Sequence, residues 1–320
     1  MSEIVCPACN LHFNPAEQKK VPRRIALQQY ENIRPVQRTV LWSLYYLGVL
    51  SQGQIGRIIS DSASCKKRSN YSTAVLHSLI NYGLVERHNI GRENLYTLSD
   101  MAIFICATER GERVSKKKAE KSELIGRGYW KHKMGLADIA VAFSSGERRG
   151  YGELLTWTSD EIRYKFSFLG SQRSLSPDSY GEFTSGDTIF KFFVEFERAK
   201  YDRVQITDKT WRYAGLRQAW SNKYPIKVNN SVAILREAYP VVLYVAENEN
   251  QISVITRSIR DGVSSVIPLD MAGDKIVFGL ALRSEVINDT PFGGIWKAPL
   301  QGKEQLSFPD LFAILSGGHK

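Results

Sequence analysis

Residues 174–200, SLSPDSYGEFTSGDTIFKFFVEFERAK, set Asp178, Glu195 and Glu197 inside a stretch that otherwise reads as apolar strands. From Ile189 to Glu197 the residues alternate. Phe190, Phe192, Val194 and Phe196 fall on one face, and Ile189, Lys191, Phe193, Glu195 and Glu197 on the other. The first face is core. Strand residues two apart lie on one face, roughly 6.5–7 Å from each other, so Glu195 and Glu197 point the same way. Upstream, Leu175-Ser176-Pro177-Asp178 reads as extended chain, with turns expected over residues 178–181 and 185–187. In the resulting hairpin Asp178 faces the Glu195 end of its neighbour, and the three carboxylates converge. Crowded carboxylates repel unless a cation neutralises them, and hard oxygen ligands suit Mg²⁺ or Mn²⁺. Acidic residues on an open sheet face are also ordinary, and Pro309-Asp310, ahead of the apolar residues 311–315, reads simply as a helix start. Spacing alone leaves both readings open.

The 320 residues are enough for two domains, and a chain 43% hydrophobic and 24% charged is not a disordered one. A formal net charge of +10 favours a polyanionic partner, because Lys and Arg neutralise phosphates and release counterions. No long uncharged apolar run is present, and Met1-Ser2-Glu3-Ile4 lacks the order of a secretory signal, so a cytoplasmic protein without membrane insertion is expected. The four cysteines, Cys6, Cys9, Cys65 and Cys106, are too scattered for a disulfide framework. Cys6-Pro7-Ala8-Cys9 with His12 reads as half of a zinc ribbon, a structural Zn²⁺ site lacking further thiolates nearby, or as a tail with a fortuitous pair.

After an N-terminal tail over residues 1–33, a first domain is expected over 34–106. Val36, Val40, Leu41, Leu44 and Leu47 repeat at helical spacing and stop at Gly48. Residues 54–59 make a short second helix. A third runs from Tyr71 to a C-cap at Gly83, with Lys66-Lys67-Arg68 at its approach. Residues 84–87 and 93–98 then read as two strands around a tip at residues 89–92. Three helices and a basic two-stranded wing predict a winged helix-turn-helix that reads duplex DNA, with Lys66, Lys67, Arg68, Asn70, Tyr71, Arg87 and Arg92 as contacts. The alternative is a winged helix used for protein contacts.

Residues 107–125 read as a basic linker, whose Lys116-Lys117-Lys118 suit backbone phosphates. A second domain over 126–290 opens with a helix carrying Leu136, Ile139, Ala140 and Phe143. Strands follow over 152–157 and 161–168, then the acidic hairpin, a helix over 204–224, and a strand over 240–246. Helix, strands, helix, strand is a three-layer α/β order. Residues 291–320 are expected to form a C-terminal tail. Trp157, Trp211 and Trp220 read as core.

The order of these elements, with Pro-Asp on one strand and Glu-x-Glu on the next, resembles the PD-(D/E)xK (restriction-endonuclease-like) nuclease core. The fold class expected is therefore α+β and multidomain, a winged helix followed by a three-layer PD-(D/E)xK-like domain. The resemblance implies that Asp178 and Glu195 hold the metal. The family's lysine position is Glu197 here, so the lysine has moved, to Lys209 on the following helix or to Lys200 at the strand end, or the domain is inactive. Lys209 is favoured, since it shares a helical face with Tyr213.

The two domains together, with LSPD, FFVEFERA and KTWRYAGL in that order, resemble the replication-relaxation family of mobile elements over roughly residues 35–245, and within it the MobC class of conjugative relaxases. That resemblance implies a metal-dependent nickase acting at a plasmid transfer origin, in a bacterial cytoplasm, with a conjugative coupling protein or an accessory DNA-binding protein as a further partner. Lys209 would orient or deprotonate the attacking water, and Glu197 would bind the same metal or a second one. His132 on the first helix is a further candidate near the scissile phosphate, and Glu153 on the first strand a further metal ligand; each also reads as an ordinary surface residue. The commoner relaxase design needs a His-x-His pair, which His12, His77, His88, His132 and His319 do not supply. The rival reading is a non-catalytic DNA-binding regulator; a restriction-type or transposon-end nuclease would share the site.

Overall fold

The computed structural model describes residues 4–5, 12–13, 23–60, 64–90, 93–115, 121, 130–159, 162–198, 202–229, 231–233, 235, 238–267, 276–288 and 290–315. The fold is mixed α and β, with several sheets, and the chain forms two compact units, Met1–Ala137 and Asp138–Lys320.

In the first unit, β1 (Ile4–Val5) and β2 (His12–Phe13) pair antiparallel, and helix α1 spans Arg23–Glu31. Helix α2 (Pro35–Leu47) starts with proline at its first turn, where the missing N–H costs nothing, and stops at Gly48, whose φ is 80°. After β3 (Leu50–Ser51), the Ser51 hydroxyl accepts the Gln54 N–H while the Gln54 side chain accepts the Ser51 N–H, a reciprocal cap that starts α3 (Gln52–Ile59). Helix α4 (Cys65–Asn81) begins six residues ahead of the sequence expectation because Ser64 caps it through the Lys67 N–H. Strands β4 (Val85–Ile90) and β5 (Glu93–Leu98) form the hairpin, and β3 joins it on the β5 side. Val40, Leu41, Leu44, Ile55, Val75, Leu79 and Leu98 make the core.

Helix α5 (Asp100–Arg110) replaces the start of the expected linker. Ser99 caps it, Gly111 ends it at φ 66°, and Ile103, Cys106 and Ala107 bury its inner face. Burial pushes the Cys106 thiol up to about 12. Thiolate is the reactive form, so labelling the native protein with a disulfide reagent at pH 8 should leave the Cys106 peptide unmodified, and denaturant should expose it. Helix α6 (Trp130–Arg148) follows, and the division between the units falls within it.

The second unit contains a seven-stranded sheet in the order β16-β15-β14-β13-β10-β9-β6. These strands are β6 (Glu153–Ser159), β9 (Ser179–Ser185), β10 (Thr188–Glu197), β13 (Val241–Ala246), β14 (Phe278–Leu282), β15 (Trp296–Ala298) and β16 (Lys303–Leu306). β10, β13 and β14 run parallel; the other pairings are antiparallel. A separate sheet, in the order β12-β11-β7-β8, contains β7 (Tyr164–Phe168), β8 (Ser171–Leu175), β11 (Ile226–Val228) and β12 (Ser231–Ala233). Helices α7 (Arg203–Ser221) and α8 (Glu249–Ser264) cover one face of the large sheet through Ile206, Tyr213, Ile252, Ile255 and Ile259, packed with Phe193, Tyr244 and Phe278. The opposite face carries an aromatic cluster in which Phe192 lies 4.7 Å from Phe143 of α6 and 5.3 Å from Phe308 of α10 (Phe308–Leu315). A short helix α9 (Arg283–Asn288) follows β14.

The structure corrects three expectations. Residues 178–181 are not a turn: from Ser179 they are strand, because β9 pairs on both sides, with β10 and β6, and ladder bonds outweigh the turn preferences of Asp, Ser and Gly. The strand expected over 161–168 is present as β7 (Tyr164–Phe168), but it belongs to the small sheet and not to the sheet of the acidic hairpin. Of the expected tail over 291–320, the described residues 291–315 are not a tail, since Trp296 and Phe308 are fully buried and β15 and β16 extend the large sheet.

Gly181 sits directly opposite Phe192 in the ladder, and a Cβ there would lie 2.3 Å from the Phe192 ring. Gly181→Ala should therefore lower unfolding free energy by roughly 1–3 kcal/mol, as overpacking does, read as a drop in the urea midpoint at unchanged slope.

Candidate active site

Glu195 lies on β10 between an antiparallel and a parallel neighbour, with Tyr244 of β13 as its direct partner. On the other side the ladder runs out at the Val194 and Ser179 pair, and there Asp178 takes over: its Oδ2 accepts the Phe196 N–H at 2.9 Å, as a backbone carbonyl would. Pro177 cannot donate to a ladder, which explains why regular strand begins only after it.

Helix α7 brings the third group. Asp202 caps it, accepting the Val204 and Gln205 N–H groups, and seven residues on, Lys209 lies over the end of β10. Lys209 Nζ donates to Asp178 Oδ1 at 3.1 Å and also to Glu195 Oε2. One turn further, the Tyr213 hydroxyl donates to Glu195 Oε1. Tyr213 is itself fixed, since its carbonyl accepts the Tyr239 hydroxyl at 3.0 Å. Both Glu195 oxygens and both Asp178 oxygens thus have partners.

Exposure divides the cluster. The Glu195 side chain is 0% exposed, whereas Lys209 and Asp178 keep 25% and 18%. Water or a substrate therefore meets Asp178 and Lys209 first, with Glu195 behind them. Burial, then the charge of Asp178, pushes the Glu195 carboxyl well up, against the pull of Lys209 and Tyr213. Burial disfavours the Lys209 ammonium, but Glu195 and Asp178 outweigh it and hold Lys209 protonated. Burial and the nearby Glu195 likewise keep the Tyr213 phenol protonated, hence a donor.

Glu197, two residues on and on the same face, is half-buried; burial and then Asp178 push its carboxyl up, while Lys209 opposes. Asp178 and Glu195 share the Lys209 ammonium directly, and Glu197 lies within electrostatic reach of both Asp178 and Lys209. Among the described residues, no group of three or more His, Cys, Asp or Glu side chains is placed to hold a metal ion. Asp178 and Glu195 nevertheless offer hard oxygens whose mutual repulsion a divalent cation would relieve, so the donor chemistry fits Mg²⁺ or Mn²⁺.

Glu153 is exposed and pairs with Thr184, at the far end of β9 from Ser179. His132 is half-buried on the first turn of α6, in the first unit. Lys200, Arg92, Cys6, Cys9 and Lys116 to Lys118 lie outside the described residues. On α4, Lys66, Lys67, Asn70 and Tyr71 are exposed and Arg68 half-buried. Arg87 is committed to its own hairpin, donating to Asn94 Oδ1 at 2.8 and 3.1 Å and to Asn89 Oδ1 at 3.1 Å. Trp157 and Trp220 are core, and Trp211 packs partly buried under the Arg173 guanidinium at 4.9 Å.

A charged cluster escaped the sequence reading. Arg283, just past β14, donates to the buried Asp138 of α6 and to Glu247, at 2.8 Å in the latter case, and its guanidinium lies 5.7 Å from the Phe196 ring centre. The available signal was an Asp inside the apolar run of residues 136–143.

No helix among the described residues is long and apolar enough to cross a membrane. No curated protein matches the chain, and no solved structure does. The sequence model for replication-relaxation matches residues 41–228, more than half of the chain and a span that takes in Asp178, Glu195, Lys209 and Tyr213; the chain therefore belongs to the replication-relaxation family.

Proposed function

We propose that this chain is a metal-dependent, site-specific DNA nickase of the MobC relaxase class, which recognises a plasmid transfer origin and cuts one strand. Membership of the replication-relaxation family suggests a role in plasmid replication or mobilisation. In this reading the first unit is a winged helix-turn-helix and the second a restriction-endonuclease-like core. The observation that carries it is the meeting of Asp178, Glu195 and Lys209 at one end of β10. Three cations, Lys66, Lys67 and Arg68, on the first turn of α4 sit where the helix dipole disfavours positive charge, and phosphates would offset that.

Asp178 and Glu195 would hold the metal, which when bound would supply Lewis-acid stabilisation of charge developing on the phosphodiester. The chain's own groups do the rest. Lys209, partly exposed and held protonated, offers its ammonium to a phosphate oxygen or to the attacking water. Tyr213 fixes the rotamer of Glu195 from behind, and the Phe196 N–H fixes Asp178.

The test is conversion of supercoiled cognate plasmid to open circles. Wild-type protein with Mg²⁺ or Mn²⁺ should yield open circles, and Asp178→Ala protein or added EDTA should not, while DNA binding persists in the variant. Linear product would point instead to a restriction-type or transposon-end nuclease. One observation favours a second reading, a non-catalytic DNA-binding regulator: Lys209 already neutralises both carboxylates. Binding without cleavage under both metals would decide for it.

A further inference from the structure

The hairpin of β7 and β8 turns through two residues, Leu169 and Gly170, both with positive φ, 48° and 72°. Two-residue turns of this kind favour Asn or Asp followed by Gly. Glycine takes the second position without cost, but a bulky side chain in the left-handed region is an outlier. Among the described residues with positive φ, Leu169 is the one apolar side chain. Burial does not compensate the strain, since Leu169 is 73% exposed. An exposed leucine alone is ordinary, but one that also strains the turn it stands on points to a role at that spot.

The tip is firmly mounted. Phe168, next to Leu169, is buried, with its ring 5.0 Å from that of Trp211. It fills the space over Gly215, where a Cβ would come within 2.8 Å of it. On the β8 side Gln172 donates to Ser167 Oγ at 2.6 Å, and the Arg173 guanidinium lies over the Trp211 ring. Trp211 and Gly215 belong to α7, as do Lys209 and Tyr213, so the hairpin and the candidate active site share one helix.

We infer that Leu169 is a wedge that enters a base step of duplex DNA and kinks it. Apolar side chains such as leucine, pushed between stacked bases, partly unstack them and bend the duplex. Around Leu169 the exposed groups are the hydroxyls of Ser167 and Ser171, the Gln172 amide and the Arg173 guanidinium, which suit sugar and phosphate oxygens. One apolar side chain ringed by polar ones is far smaller than a protein-docking patch. The inference rests on DNA being the substrate, and it adds how the duplex is deformed beside the helix that carries Lys209.

The test titrates the full chain, in EDTA so that no strand is cut, onto a duplex of roughly 30 base pairs containing TA and CA steps, which kink most easily. A donor and an acceptor dye at its two ends report the bend. Bound wild type should bring the ends closer, as wedge kinks of roughly 20–90° do. Leu169→Asn should bind within about threefold of wild type, because phosphate contacts dominate affinity, yet leave energy transfer at the free-duplex value. Leu169→Met, still apolar, should keep the kink. The thermal midpoint of Leu169→Asn should rise, because asparagine enters the left-handed turn readily; its lost kink is then not lost folding.

A duplex kinked equally by Leu169→Asn, or left straight by bound wild type, overturns the inference while leaving the nickase reading intact. A lower thermal midpoint in Leu169→Asn would show Leu169 held by packing and overturn it as well. Wild type that binds no duplex overturns both. Self-association lost in Leu169→Asn, with the kink unaltered, reassigns the tip to a contact with a second copy of the chain.

Discussion

Lys209→Met should destabilise the protein by about 3–4 kcal/mol at pH 8 in EDTA, and by distinctly less at pH 5. The substitution keeps the length and most of the volume of the side chain, so packing changes little. What it removes is the counter-charge of a carboxylate that is 0% exposed, and stranding one partner of a buried pair costs about 3–5 kcal/mol. The pH dependence follows from which state holds the proton. Burial and Asp178 already push the folded-state Glu195 carboxyl well above its ordinary value of 4.5, and Lys209 is what opposes them. Without the ammonium the folded chain grips that proton more tightly still, whereas the unfolded chain releases it near the ordinary value. Stability is then highest below that value and declines as pH rises towards the folded one. Urea midpoints at pH 5 and pH 8 should diverge far more in Lys209→Met than in wild type. Equal losses at both pH values would show that Glu195 is not the group left stranded.

Asp178→Asn should separate stability from chemistry. The amide oxygen can still accept the Phe196 N–H, which Asp178 accepts at 2.9 Å, so the junction between β9 and β10 keeps its last bond. One ion pair with Lys209 is lost, but so is the Asp178 charge that raises Glu195. These effects oppose each other, and the urea midpoint should move by less than about 1 kcal/mol, as for most partly exposed pairs. Nicking, in contrast, should fall by about 10³-fold, the rate equivalent of roughly 4 kcal/mol of lost transition-state stabilisation. A variant that retains cleavage within tenfold of wild type would remove Asp178 from the reaction and with it the nickase reading.

Much of this was legible from local pattern. The alternation of residues 189–197 separated the Phe192 face from the Glu195 face, and the aromatic cluster and α7 indeed lie on those opposite sides. The turn read at residues 185–187 does separate β9 from β10, and Lys209 and Tyr213, four apart, do share the helical face over Glu195. What pattern could not supply was pairing. The strand character of residues 179–181 depends on β6 and β10, which no local preference encodes. The β7 strand looks like any other strand until its partners β8 and β11 are known. Helix α8 was legible and overlooked: Ile252, Ile255, Ile259 and Val263 recur at helical spacing after Asn248 and Gln251, a reciprocal cap. The burial of Glu195 was hidden too, because a carboxylate two residues from another reads as an exposed edge unless the parallel strand beside it is known.

That parallel strand has a consequence for the order of events during synthesis. Asp178, Glu195 and Lys209 lie within a sequence separation of 31, in a hairpin and the helix after it. β13, which seals the other side of Glu195, begins only at Val241, and β14 later still. A nascent chain ending before Val241 has β10 as an edge strand, with Glu195 open to water and Lys209 no more than a surface partner to it. The burial of Glu195 therefore waits for a distant stretch of chain. Its altered proton affinity belongs to the finished sheet, and a pulse of truncated chains should titrate like an ordinary peptide.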